Sequence, residues 1–389
     1  MDFDLTEDQL MLQQSMRDFV NTEFTEAYLQ DLEKDHKRRW IDDKMWGKLA
    51  KLGILAKSIP EQYGGLGGNI IDSSIIMEEL ARKSGSIGLC YITATCFGSN
   101  TLSRIGSEEQ KRLYLPKLAT GDLKVCLGLT EPGGGTDVLG AMSTTAVAEG
   151  DDYIINGLKT FISGAHIANI IITVAITDRN APKRTRGISL FLVDSNSRGL
   201  EVKPINKLPA RAAGANEVFY TDVRVPKSSI LGRLNNGWYD LLSTLNEERI
   251  LFSSLAVGLA QGAFEETLKY AQSRHAFNKP IGQFQVIQHR LVDMAVGIEL
   301  GRLMMHKAAW LLSVGKSCDL EATVAKIHCS EVAVETVLNC TQIFGGVSVA
   351  DETPIQRYYR DILGVTIGPI SNEMARNYLG ARMGLPRSF

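Results

Sequence analysis

From Asn235 onward the chain keeps a helical period almost without interruption, in the runs 238–273, 284–314 and 320–344. Apolar residues spaced three and four apart over such lengths predict bundle helices, each burying a long face against the others. The first 120 or so residues show the same period in shorter runs. One, from Leu5, carries Leu10, Leu12, Met16, Phe19 and Val20 on a face; another, IIDSSIIMEELARKSG (70–85), follows the Pro/Gly loop SIPEQYGGLGG (58–68). Between these regions the period falls to two. IANIIITVAIT, GISLFLVD and EVFYTDVRV read as strands, and YIINGLKTFI (153–162) as a hairpin turning at Asn156-Gly157. The fold class predicted is an α+β multidomain chain: an all-α domain at 1–122, a β-domain at 123–232 and a helical bundle at 233–389.

At 389 residues the chain exceeds one small core. A net charge of −2 gives no general attraction to nucleic acid or anionic membrane, so no nucleic-acid partner is expected. No apolar run reaches the ~18 residues of a membrane span, and the acidic start MDFDLTEDQLMLQQSM is neither a signal nor a transit segment. Six cysteines without framework spacing read as reduced thiols, and a cytoplasmic location is expected. The six histidines are scattered and form no metal cluster.

Two local features point to chemistry. LGLTEPGGGTDV (127–138) places three glycines together, as a loop that lies close to a ligand would. It lacks the GK[ST] of a phosphate loop and the third glycine of a dinucleotide fingerprint, and it leads into strands where both motifs need a helix. The second is Glu248. Leu241, Leu245, Phe252, Leu255 and Leu259 form an apolar stripe, and its missing member is this glutamate, beside Arg249. Spacing allows two readings: a satisfied ion pair or a rotated, exposed side chain, or a general base whose proton affinity is raised by burial. Glu247, one step round the helix, reads as solvated.

LTEPGGGTD and QIFGGVSVADETPIQRYYRD (342–361), with YIINGLKTFISG and QSRHAFNKPIGQFQ between them, resemble the signatures of the flavin-dependent acyl-CoA dehydrogenases. The resemblance covers nearly the whole chain. It implies a C-terminal four-helix bundle, FAD as cofactor, and a homotetramer built as a dimer of dimers in which two subunits reach each flavin. The reaction implied is α,β-dehydrogenation of an acyl-CoA thioester. The α-proton goes to a base, the β-hydride goes to flavin N5, and the electrons pass to an electron-transfer flavoprotein.

Carried over position by position, the resemblance places Leu127, Leu129 and Thr130 at the flavin ring, and Thr136 at both flavin and substrate. It places Phe161 as an aromatic packed on the flavin and Ser163 as a hydroxyl near N5; a strand spacing of two would set both on one face. Arg274, Phe277 and Gln285 would meet the neighbouring subunit's FAD. Gln342, Gly345 and Gly346 would approach its adenosine half, and Ser371 and Glu373 its diphosphate. NEER (246–249) is similar to the subgroup that carries its base on the helix after the β-domain, as in isovaleryl-CoA and long-chain enzymes, so Glu248 is the implied catalytic residue. Asn246 and Arg249 would steady it and the CoA arm.

Four positions depart from the pattern. Pro369 stands where relatives offer a backbone N–H to the substrate carbonyl, and proline has none. Ile370, Asn278 and Ser348 each replace a customary glycine. Three functions therefore stand beside one another: the dehydrogenase; an enoyl-CoA reductase of the crotonobetainyl-CoA type or an enzyme for carrier-protein thioesters; and a flavin-monooxygenase-like or non-catalytic member.

Overall fold

The computed structural model describes residues 4–34, 39–242 and 244–386. Seven helices open the chain: α1 (Glu7–Glu23), α2 (Glu26–Glu33), α3 (Asp43–Lys51), α4 (Ile70–Ala81), α5 (Gly85–Ile92), α6 (Thr101–Ile105) and α7 (Glu108–Ala119). Thr6 starts α1 with a capping box to Gln9, which satisfies otherwise orphaned N–H groups. Met16 and Val20 are fully buried, whereas Leu10 is half exposed and stands outside the face assigned to it. Helix α4 is buried on every side, which is why its sequence shows apolar residues in pairs and triplets. Its charged members are all partnered: Glu79 binds Arg17 and Arg82, and Glu78 binds Arg302 of the C-terminal bundle at 2.9 Å.

The β-region is one eight-stranded sheet made of β1 (Val125–Gly128), β2 (Thr145–Glu149), β3 (Asp152–Lys159), β4 (Ile170–Ile176), β5 (Ile188–Asp194), β6 (Leu200–Ile205), β7 (Ala215–Pro226) and β8 (Ile230–Leu231). The order is β6-β7-β3-β2-β4-β5-β8, with β1 beside β4. The expected hairpin at Asn156-Gly157 is corrected. β3 runs straight through both residues, and the actual hairpin joins β2 to β3 across Gly150-Asp151. Asn156-Gly157 instead forms an irregularity in the pairing with β7, because the Asn156 side chain bonds Asp222 rather than closing a turn. Gly157 has φ 154°, and a Cβ there would come within 2.3 Å of the Thr144 Oγ1. Gly157→Ala is therefore expected to destabilise the protein by about 1–3 kcal/mol, read as a lower midpoint in denaturant.

The C-terminal region holds α8 (Gly237–Leu242), α9 (Leu245–Ser273), a small hairpin of β9 (His275–Ala276) and β10 (Lys279–Pro280), then α10 (Gln285–Ser313), α11 (Asp319–Phe344), α12 (Pro354–Asp361) and α13 (Asn372–Arg382). The run expected over 238–273 is two helices, so Leu241 belongs to α8 and not to the stripe that carries Glu248. Helix α9 is central. Its Gly258 and Gly262 press so closely on α4 that a Cβ would fall 2.4 Å from the Glu78 carbonyl oxygen and 1.9 Å from that of Arg82. α9 and α11 run parallel: Asn246 bonds Asp319 at one end, and Tyr270 stacks on Phe344 at the other, 4.2 Å between centroids. α13 packs on α11 as a shorter fourth member. The segment Asp319–Val349 is long and apolar enough to cross a membrane by composition, but here it packs against α9 and α10.

Candidate active site

Helix α9 sets Glu248 one turn inside its N-terminus and leaves its carboxylate without any hydrogen-bond or ion-pair partner among the described residues. The side chain is half-buried. Burial pushes its pKa up to about 7, with Arg249 pulling the other way. Arg249 does not pair with it. The guanidinium instead donates to the Asn246 Oδ1 at 2.9 Å, and Asn246 donates to Asp319 at 2.8 Å. The three residues predicted together therefore meet, with a fourth, Asp319, that spacing did not reveal.

Glu247 overturns its expected solvated role. It is buried, paired with Arg104 of α6 and held by the Asn100 side chain at 3.2 Å. The two adjacent glutamates thus divide the work, one satisfied within the protein and one left open.

Across from α9 lies a wide-turned helical stretch, Thr93–Asn100, of the π type that often accompanies functional sites. The field of Glu248 reaches Cys96 on this stretch and helps raise its thiol pKa, after burial and Glu247. Its other flank meets the β-region: a Cβ at Gly98 would touch Val125, and one at Gly164 would touch Thr93. The stretch therefore borders both the start of α9 and the β-region that carries the two segments expected to meet the flavin.

Those segments are adjacent, since the Thr160 N–H donates to the Thr130 carbonyl at 2.8 Å. Phe161 and Ser163 lie beyond the end of β3, so strand alternation does not set them on one face as expected. Ladder-like bonds do so instead. The Ile162 and Gly164 N–H groups donate to the Asn216 and Gly214 carbonyls, which turns residues 161 and 163 the other way. Phe161 is held at φ 56° with its ring 63% exposed, a costly placement for an aromatic residue that a flat ligand would relieve. The N–H groups of Thr130, Phe161 and Ser163 find no acceptor among the described residues. These are the donors that the two adjacent segments leave open to a ligand carrying acceptor atoms. Leu127 lies in β1, paired to Ile172.

Of the three glycines, only Gly134 answers to the protein's own packing: a Cβ there would strike Ala141 and the Asp137 carbonyl. None has positive φ, and Gly135 opens on space, as does exposed Thr136. The anchor of this loop is Glu131, which reading for glycine overlooked. It is buried, accepts from the Ser143 and Thr144 N–H groups and the Ser143 hydroxyl, and pairs at 2.7 Å with fully buried Lys159. Although burial opposes it, the Lys159 ammonium holds its pKa down at about 2.

A second group of predicted residues sits at the opposite end of the bundle. Arg274 ends α9, about 39 Å along the helix from Glu248. Phe277 and Asn278 form the two-residue turn of the β9–β10 hairpin, both at positive φ, and Phe277 is 89% exposed. Asn is among the few residues that adopt this conformation in place of glycine. Gln285 begins α10 nearby. Gln342, Gly345 and Gly346 end α11 at the same pole, all exposed, and Gln342 lines a groove of about 360 Å³ that runs back to Thr366. Ser371 and Glu373 lie elsewhere, in the first turn of α13, where Ser371 caps the helix and the backbone N–H and Ser371 draw the Glu373 pKa down. One chain thus brings together only part of the predicted set. Among the described residues there is no group of three or more His, Cys, Asp or Glu able to hold a metal, and all six thiols are buried and free.

Comparison with known proteins identifies this arrangement. Residues 6–122, 126–223 and 235–384 match the N-terminal, middle and C-terminal domain models of the acyl-CoA dehydrogenases. The caffeyl-CoA reductase-Etf complex subunit CarC of Acetobacterium woodii is 37% identical, over 93% of this chain and 94% of its own. The butyryl-CoA dehydrogenase structure from Megasphaera elsdenii superposes with a TM-score of 0.93 at 31% identity, covering 98% of this chain and all of that one. A structure of PigA with FAD and proline gives 0.91 at 30%, covering 99% and 100%. The chain belongs to the acyl-CoA dehydrogenase family. It is an FAD-dependent oxidoreductase acting on CH–CH bonds of acyl-CoA thioesters.

Proposed function

We propose that Glu248 is the catalytic base of an acyl-CoA dehydrogenase that passes its electrons to an electron-transfer flavoprotein. The observation carrying this reading is a half-buried carboxylate with no protein partner and a pKa raised to about 7. A carboxylate so placed is ionised near neutral pH and can take a thioester α-proton provided the developing enolate is stabilised, and burial stabilises the carboxylic acid it becomes. FAD, when bound, supplies the acceptor for the β-hydride. Arg249, held by Asn246 and Asp319, keeps positive charge beside the base without quenching it in a direct pair. The free N–H groups at Thr130, Phe161 and Ser163 support the assignment of the flavin ring to that edge.

The separation of Arg274, Phe277, Gln285, Gln342, Gly345 and Gly346 from Glu248 supports a homotetramer of paired dimers, in which this pole completes a neighbour's FAD site. The units 1–122, 123–232 and 233–389 are taken as the domains, and a cytoplasmic enzyme without a membrane span is the matching location. Phe277→Ser should lower the FAD retained per chain after gel filtration at least threefold while leaving the helix content unchanged. Retention equal to that of wild type would exclude this pole from cofactor binding.

A second reading is favoured by one relative. CarC is named a reductase, so the same base and cofactor can serve the reverse reaction, with the carboxylic acid of Glu248 returning the α-proton. Anaerobic addition of an acyl-CoA panel spanning short, branched, aromatic and dicarboxylic chains tests both. Bleaching of the visible flavin band by saturated thioesters supports the dehydrogenase. Reoxidation of chemically reduced enzyme by enoyl-CoA, with no bleaching by any saturated thioester of the panel, supports the reductase.

A further inference from the structure

Lys326 is a buried cation two turns into α11, 1% exposed. Its ammonium donates to the Thr366 carbonyl at 3.1 Å and to the Asn372 Oδ1 at 2.5 Å. Burial draws its pKa down to about 8, so it remains a cation at neutral pH. Asn372 is buried as well. It closes the loop by donating its backbone N–H to the same Thr366 carbonyl at 3.0 Å, and its side chain is fixed by Ser330 and Glu331. Both ends of the 366–372 loop are thus clamped by one lysine and one asparagine.

The loop faces the same side of α9 as Glu248. Its Gly368 backbone lies against the Phe252 ring, a Cβ there falling 3.6 Å from Cε1, and Phe252 is one turn from Glu248. Removal of a thioester α-proton builds charge on the carbonyl oxygen, and preorganised donors are the usual means of holding it. Pro369 has no N–H to give. The next residue does: the Ile370 N–H finds no acceptor among the described residues.

We propose that Lys326 is a positioning residue that, with Asn372, holds the 366–372 loop so that the Ile370 N–H meets the carbonyl oxygen of a thioester bound at Glu248. This rests on Glu248 being the base. It answers the departure at Pro369 by moving the donor one residue along a loop whose two ends are fixed.

The test uses FAD-loaded enzyme and acetyl-CoA, which has α-hydrogens but no β-carbon, so that loss of its methyl proton signal in deuterated buffer reads enolisation alone. Butyryl-CoA serves as a longer probe. Wild type should exchange and Glu248→Gln should not. Ile370→Pro, which deletes the N–H, should lower the maximal exchange rate by about 10²–10³-fold, with the half-saturating thioester concentration changed less than threefold. Ile370→Ala, which keeps the N–H, should lose at least tenfold less rate than Ile370→Pro. Lys326→Met, which keeps the volume, should fall at least tenfold at unchanged FAD content. Ile370→Pro exchanging like Ile370→Ala would overturn the donor assignment, and Lys326→Met exchanging like wild type would overturn the clamp. If Lys326→Met fails to retain FAD, the proline–alanine pair still decides the donor. Absence of exchange by wild type with both probes would remove the Glu248 reading itself, and this proposal with it.

Discussion

Glu248→Gln is expected to slow flavin reduction by a saturated acyl-CoA by about 10²–10⁴-fold while FAD stays bound. Glutamine keeps the shape of the side chain, and no hydrogen bond of the protein is lost, because the Glu248 side chain makes none among the described residues. The pH profile follows from the same carboxyl. A base with a pKa of about 7 must be ionised to act, so kcat/KM should rise tenfold per unit below that value and level off above it. Stability moves in the opposite sense. The folded-state pKa is raised, so between about 4.5 and 7 the folded chain binds the proton the unfolded chain has released, and stability falls as pH rises through that window. The glutamine variant is spared this loss. It should melt at the same temperature as wild type at pH 4 and above it at pH 8. Equal melting temperatures at both would mean that the carboxylate is solvated.

Lys159→Met is the second large effect. It leaves the Glu131 carboxylate buried without its cation, a change that costs about 3–5 kcal/mol when such pairs are broken on one side. Since the same ammonium also donates to the Leu129 carbonyl, the damage should concentrate in residues 129–144, beside the free N–H row. The expected outcome is a lower denaturation midpoint together with loss of most bound FAD. The paired variant Glu131→Leu with Lys159→Met should recover much of the stability, because neither charge is then stranded, but not the cofactor. Recovery of both would show that the pair is only filling space. Acid removes the same stabilisation: the Glu131 pKa is depressed to about 2, so its contribution is present above about 4.5 and fades as pH falls toward 2.

The order of helical, β and helical regions was legible because periods of 3.6 and 2 survive over long runs, and the ends of α10 and α11 fall within a residue of the expected 284–314 and 320–344. What escaped depended on contacts between distant segments. Asn156-Gly157 is a turn by local propensity, yet pairing with β7 and the bond to Asp222 make it an irregular strand. Glu247 looked solvated because nothing near it in sequence announces Arg104 or Asn100. Glu131 and Lys159, and likewise Lys326 and Asn372, are single polar letters whose partners lie far along the chain. Glu248 differs from these: an unmatched acid in an apolar stripe shows in one dimension, and its side chain has no partner among the described residues, even though Leu241 proved to belong to another helix.

Removal of the α-proton by one open carboxylate is read without hydride transfer when acetyl-CoA is supplied in deuterated buffer. Deuterium should enter the methyl group with the FAD-loaded wild type, at a rate that climbs with pH and flattens near 7, and should not enter with Glu248→Gln. Exchange undiminished in the glutamine protein would contradict the account.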